Sequence, residues 1–298
     1  ERRTLQRHSH ETFFFSSFPL CSRGVVTLRK YTVALARNVS PEISKGVSIA
    51  SPSTDEHIAN YDVASVQHKS YLEKIRSIIP TLCLPSLPEH PDCCFVEDTL
   101  VTMGRTAVVT TPGHDSRWGE VTSMGDIVQQ LGMKVVNMTE EDPKATLDGG
   151  DVLNTGRHMY VGLSNRTNSE GFRVLEKVFG ESIKVIPVKL STSSVLHLKS
   201  AVTHLDEETL LVPLGQEDIL TNMLDSGGYE SIRVPDGRLA NVVVLNGHVL
   251  AQQTDCEKSR NILEVACEER SFQLHWLDMS EFAKVDGSLT CLSVLLDI

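Results

Sequence analysis

No stretch of this chain approaches the roughly 20 consecutive apolar residues that a membrane helix needs, which argues against a membrane protein. Positive charge is scarce too: 28 Lys and Arg stand against 39 Asp and Glu, for a net charge of -11. Nucleic-acid binding calls for clustered cations against phosphate, so that class is disfavoured, and a small-molecule partner is expected instead. There is no CxxC pair and no Cys/His spacing of the zinc-finger kind. Seven cysteines is an odd number, and a chain of 298 residues has no need of disulfide staples. Reduced thiols in the cytoplasm are expected, most of them serving as small buried hydrophobes. What remains is an ordinary soluble composition, 40% hydrophobic and 22% charged, compatible with a monomer or a homodimer.

Residues 1–27 differ from the rest. They carry Arg2, Arg3, Arg7 and Arg23 with only Glu1 and Glu11 as acids, a composition like that of a transit peptide. Pro19 and the Phe13–Phe15 run suit an amphipathic targeting helix poorly. A disordered N-terminal extension is expected there, followed by a single catalytic domain over residues 28–298.

From residue 28 onward one unit recurs. Asp98–Thr110 reads as a hairpin turning at Gly104, followed by helix Val121–Leu131 and strand Met133–Met138. Asp151–Val161 turns at Gly156 and leads to helix Ser169–Phe179 and strand Ile183–Val188. Ser200–Pro213 turns at Asp206–Glu207, then gives helix Gln216–Leu224 and strand Ser231–Val234. Asn241–Gln253 turns at Asn246–Gly247, a type I′ signal, before helix Glu257–Arg270 and strand Gln273–Met279. The apolar C-terminal strand Leu289–Leu296 lacks a local partner, and Leu28–Arg37, ahead of helix Glu56–Ile79 and strand Thr81–Leu84, supplies one. Five ββαβ units at a period of about 40–53 residues predict a pseudo-symmetric five-bladed α/β propeller, its ring closed by the N- and C-terminal strands. An open α/β sheet is the plainer alternative.

A ring brings equivalent positions to its axis. The start of each hairpin's first strand reads Glu97-Asp98, Asp148-Gly149-Gly150-Asp151, His197 to Ser200, Asn241 and Cys291. Singly, these have plain explanations: Asp favours turns, glycine pairs make tight turns, and Cys and His pack in cores. Together they place a thiol beside an imidazole, the arrangement that activates a thiolate. The acids suit a planar guanidinium, which carboxylates grip through paired hydrogen bonds. Arg117 and Arg166, on loops beyond the hairpins, are candidates for holding a substrate carboxylate.

The segments CFVED (Cys94–Asp98), ATLDGGDVL (Ala145–Leu153), VGLSNRTN (Val161–Asn168), LHLKS (Leu196–Ser200) and KVDGSLTC (Lys284–Cys291) resemble dimethylarginine dimethylaminohydrolase, in order, over roughly residues 31–296. The resemblance implies the five-bladed α/β propeller of guanidino-group-modifying enzymes. It implies hydrolysis of asymmetric dimethylarginine and monomethylarginine to citrulline, which relieves inhibition of nitric oxide synthase. By motif, Cys291 is the nucleophile and His197 the general acid and base. Asp98 and Asp148 hold the guanidinium with Glu97 beside them, Asp92 receives the α-amino group, and Arg117 and Arg166 bind the carboxylate. Val285 and Asp286 line the site. No cofactor is implied, although the Cys291/His197 pair could take up zinc as an inhibitor. Cys291 is followed by Leu292 where the vertebrate enzyme has a second cysteine, and the loop Val39–Gly46 matches poorly. One branch of the family has lost the FVED acids and the second arginine; this chain keeps both. Arginine deiminase and a catalytically silent binding protein on the same fold are the alternatives.

Overall fold

A computed structural model describes residues 30–47, 58–190, 195–216, 223 and 227–298. The expected N-terminal extension and most of the helix expected over Gln216–Leu224 lie outside the described residues. The chain opens with β1 (Val33–Arg37), α1 (Tyr61–Arg76) and β2 (Thr81–Leu84). Next come β3 (Leu100–Met103), β4 (Thr106–Val109), α2 (Val121–Gln130) and β5 (Lys134–Asn137). The third unit is β6 (Val152–Asn154), β7 (His158–Leu163), α3 (Ser169–Phe179) and β8 (Lys184–Lys189). The fourth holds β9 (Thr203–His204), β10 (Thr209–Pro213) and β11 (Glu230–Val234). The fifth holds β12 (Val243–Leu245), β13 (His248–Gln252), α4 (Glu257–Glu269) and β14 (Gln273–Leu277). The last strand, β15 (Val294–Leu296), returns to the first unit.

Each unit is a three-stranded sheet in which the middle strand pairs antiparallel with one neighbour and parallel with the other. In the first sheet the antiparallel partner comes from the far end of the chain: Val33 faces Leu296 and Leu35 faces Val294. The termini therefore complete one blade between them. Glycines at positive φ, Gly104 and Gly156, make the second and third hairpin turns, and Asn246 (φ 49) with Gly247 (φ 85) make the fifth.

The apolar core shows that the ring is closed. It falls into five clusters, each straddling two adjacent blades. Leu35 and Leu296 of the first blade pack with Leu100 and Val109 of the second. Val101 meets Val161, Leu153 meets Leu210, and Leu211 meets Val249 in the next three. Val243 and Leu250 of the fifth blade then pack against Ala34 and Ala36 of the first. A sheet of three short strands cannot bury both faces alone, so every blade depends on its neighbours. The helices seal this core with one apolar face each. α1 buries Ala64, His68, Tyr71, Leu72 and Ile75 at helical spacing, and Asn60 caps its start by accepting from Val63 N–H.

Two expectations need correction. The helix predicted from Glu56 starts at Tyr61, because Asn60 is its cap. The strand predicted over Leu289–Leu296 is a strand only from Val294; Thr290–Leu292 forms a tight helical turn. Leu289 and Leu292, three residues apart, both enter the core, and the turn between them leaves Cys291 half-buried against the cavity described next.

Candidate active site

In every blade the strand antiparallel to the middle one is introduced by a short helical turn: Val96–Thr99, Gly149–Asp151, Leu198–Ala201, Gly237–Ala240 and Thr290–Leu292. The ring sets these turns around its axis. Asp98 and Cys291 lie within two of them, and Asp148 and His197 immediately precede two others. All four side chains line one cavity, together with Asp92, Arg117, Arg166, Val285 and Asp286. Nine of the ten residues singled out from sequence thus meet in one place. Phe95, Leu196, Gly287 and Val47 complete the lining.

Glu97 is the exception. Consecutive residues of a tight turn point in different directions, so Asp98 faces the cavity while Glu97 faces the ring axis. Its buried carboxylate accepts from Lys199 Nζ at 2.5 Å and from Thr290 Oγ1 at 2.9 Å. Asn241 ties the same layer together, donating to Thr290 Oγ1 and to the Lys199 carbonyl oxygen at 3.0 Å each while accepting from Thr290 N–H at 3.1 Å. This layer separates the cavity from a second space of about 150 Å³, ringed by strands of all five blades and lined by Glu97, Lys199 and Thr290 among others. Lys199 and Thr290 lie within the LHLKS and KVDGSLTC segments, near His197 and Cys291, and only that proximity points to them.

Hydrogen bonds define the rest of the site. Nε2 of His197 and Oδ2 of Asp148 are 2.9 Å apart, and the other Asp148 oxygen accepts from Gly113 N–H at 2.8 Å. Asp98 accepts from Gly150 N–H at 2.9 Å and from Arg117 Nη1 at 2.5 Å. Gly150 is required here: a Cβ on it would stand 2.7 Å from His197 Nδ1 and 2.9 Å from Asp98 Oδ1. Arg117 is no surface charge. It is buried, with Nε and Nη2 on Glu120 and Nη2 also on the Phe95 carbonyl oxygen at 2.8 Å. Glu120, three residues on, was not read from the sequence. Asp92 accepts from Val47 N–H at 3.1 Å, and Gly46, at the end of the poorly matching loop, has its missing Cβ position 2.7 Å from Asp92 Oδ1. That loop therefore lies directly against the site.

Burial disfavours charge on His197, yet Asp98, the Asp148 hydrogen bond and Asp151 outweigh it and hold the imidazole up at about 9. Burial, reinforced by Glu97 and Asp98, pushes the Cys291 thiol well above its ordinary range. The resting pair is thus an imidazolium and a thiol. The only cluster of metal-ligating atoms among the described residues is Asp98, Asp148 and His197, within 4.8 Å of one another; Cys291, expected to share a zinc with His197, is not part of it. These donors are already engaged with one another, with glycine N–H groups and with the Arg117 cation, which fits a resident metal poorly.

A five-bladed ring with a thiol, an imidazole and paired carboxylates at one cavity defines an α/β propeller equipped for nucleophilic chemistry on a planar cation. The family model for N,N dimethylarginine dimethylhydrolase, eukaryotic, matches residues 48–266. The chain is 33% identical to an N(G),N(G)-dimethylarginine dimethylaminohydrolase of Streptomyces coelicolor, over 88% of this chain and 96% of that one. It is 29% identical to the enzyme of the same name from Pseudomonas aeruginosa, over 81% and 92%. The solved structure of a cysteine-to-serine mutant of the Pseudomonas aeruginosa protein, complexed with citrulline, superposes with a TM-score of 0.78, at 26% identity and over 90% of this chain and 100% of that one. A cyanobacterial arginine dihydrolase domain shares the fold at 17% identity and a TM-score of 0.70. The chain belongs to the dimethylarginine dimethylaminohydrolase family.

Proposed function

We propose that this enzyme hydrolyses asymmetric dimethyl-L-arginine and monomethyl-L-arginine to L-citrulline and dimethylamine or methylamine, through a covalent S-alkylthiouronium on Cys291. The observation that carries the reading is the convergence of Cys291, His197, Asp98 and Asp148 on a cavity whose wall also holds Asp92, Arg117 and Arg166. Asp98 and Asp148 face the guanidinium, Asp92 the α-amino group, and Arg166 with Arg117 the carboxylate, while Val285 and Asp286 line the wall. Asp148 also orients His197.

The chemistry follows from the charges. An empty site keeps the thiol protonated; a bound guanidinium cation offsets the nearby carboxylates, and the thiol proton passes to solvent while His197 stays protonated. The sulfur adds to the guanidino carbon. The His197 imidazolium gives its proton to the departing amine, and the C–N bond breaks to leave the thiouronium. Neutral His197 then takes a proton from water as its oxygen adds to the same carbon, and the C–S bond breaks to free citrulline and Cys291. Acid–base help of this kind contributes about 10²–10⁴ in rate. In a cell, removing these substrates would relieve inhibition of nitric oxide synthesis. The proposed setting is the cytoplasm; among the described residues no cysteine is in a disulfide, and no helix is long and apolar enough to cross a membrane.

The test is citrulline formation from dimethylarginine, monomethylarginine and arginine by wild type and by Cys291→Ser. Turnover of the methylated substrates that is lost in Cys291→Ser is expected. Equal rates for the two proteins would overturn the assignment, arginine as the much better substrate would favour a deiminase, and binding without turnover would point to a silent propeller.

A further inference from the structure

Asp151 ends the Asp148–Asp151 run but is not among the residues that line the cavity. It is completely buried, and its carboxylate accepts from two separate segments. Oδ1 accepts the N–H of Leu198, the residue after His197, at 2.9 Å. Oδ2 accepts from Ser164 Oγ and Thr167 Oγ1, each at 2.6 Å. Those two residues bracket Arg166, and the Ser164 hydroxyl oxygen in turn accepts Arg166 N–H at 3.0 Å and Thr167 N–H at 3.2 Å. Thr167 Oγ1 accepts Asp148 N–H at 3.2 Å. One carboxylate thus ties together the backbone behind the base, the turn behind an arginine and, through a hydroxyl, the backbone of the acid bonded to the base.

Space for this group is reserved. A Cβ on Gly162 in β7 would stand 3.0 Å from Asp151 Oδ1 and 3.0 Å from the Leu198 Cβ. Short hydrogen bonds from hydroxyls to a carboxylate are strong and directional, so they fix geometry as well as satisfy a buried group. A carboxylate needed only to satisfy one turn would require a single partner; this one joins two walls of the cavity.

We propose that Asp151 is a positioning residue that holds His197 and Arg166 at a fixed spacing, so that the substrate is gripped at its carboxylate while its guanidino carbon meets the base. The proposal rests on the methylarginine reading of the site. Asp151→Asn keeps shape and an acceptor for Leu198, but turns the other oxygen into a donor toward two hydroxyls that already accept N–H bonds. Because both arms depend on it, kcat should fall and KM rise together, lowering kcat/KM by about 10- to 100-fold. Ser164→Ala disturbs only the arginine arm and should raise KM about tenfold with a far smaller effect on kcat.

Both variants are assayed for citrulline release on whichever arginine derivative the wild type turns over best, with urea unfolding in parallel. Wild-type turnover identifies the substrate independently, so an error in the substrate assignment is visible before the variants are compared. A folded Asp151→Asn with both constants within about twofold of wild type would overturn the proposal. If Asp151→Asn does not fold, the Ser164→Ala split decides, and a loss in kcat without a rise in KM would overturn it equally.

Discussion

The Nε2 atom of His197 stands 2.9 Å from Oδ2 of Asp148, with both side chains buried at the wall of the cavity. The carboxylate fixes the orientation of the ring and favours its protonated form, the state needed to deliver a proton to a departing amine.

Replacing Asp148 by Asn keeps the shape but offers the ring an uncharged partner that favours a different tautomer. Citrulline formation by Asp148→Asn should fall by about 10²–10⁴ in kcat, in a protein whose circular dichroism is that of the wild type. A loss of less than about fivefold would show that the pairing does not serve the reaction.

The negative charges around the ring, Asp98 first and then Asp148 and Asp151, make stability depend on pH. The base is held at about 9 in the folded protein against an ordinary value of 6.5. A raised base stabilises the fold fully below its unfolded value, and the contribution disappears as pH rises through the folded value. About 3 kcal/mol is expected to be lost between pH 6.5 and pH 9, read as a falling unfolding free energy in urea. His197→Asn should flatten that slope, and an unchanged slope in the variant would assign it to other groups.

Cys291 reactivity reports on the layer beneath it. Burial comes first among the causes that raise the thiol, with Glu97 next. Glu97→Gln removes that negative charge and leaves the Lys199 cation less neutralised, so alkylation of Cys291 by iodoacetamide at pH 8 should accelerate several-fold, roughly as expected for a shift of less than one pKa unit. Peptide mass spectrometry measures the rate at this cysteine alone, and a slower rate would contradict the electrostatic account.

Gly150→Ala places a methyl group where His197 Nδ1 and Asp98 Oδ1 already stand. Displacement of the base should lower kcat by about 10- to 100-fold. Steady-state kinetics would show it, and full activity would mean that the two side chains adjust without cost.

Much of the fold is visible in the chain. Helix Ser169–Phe179 and strand Thr81–Leu84 have the predicted bounds, because alternation and helical spacing of apolar residues directly encode which face is buried. The recurrence of hairpin, helix and strand, and a C-terminal strand without a local partner, foreshadow the closed ring. Residues identified through motifs converge as well: the acids, His197 and Cys291 stand near the starts of blade strands, and the loops carrying Arg117 and Arg166 reach the same cavity.

The sequence by itself determined the blades, their order and the chemical inventory of the site: one thiol, one imidazole, five acids, two arginines and a valine spread along the chain. Only the tertiary structure decided how they divide. It turned Asp98 into the cavity and Glu97 to the axis, buried Arg117 between Asp98 and Glu120, and set Cys291 in a tight turn where an apolar run suggested strand. It also made Asp151 a joint between two walls. Periodicity is a local property that burial imposes on each element. Side-chain direction in a non-repeating turn is set by partners many residues away, and those partners meet only when the ring closes.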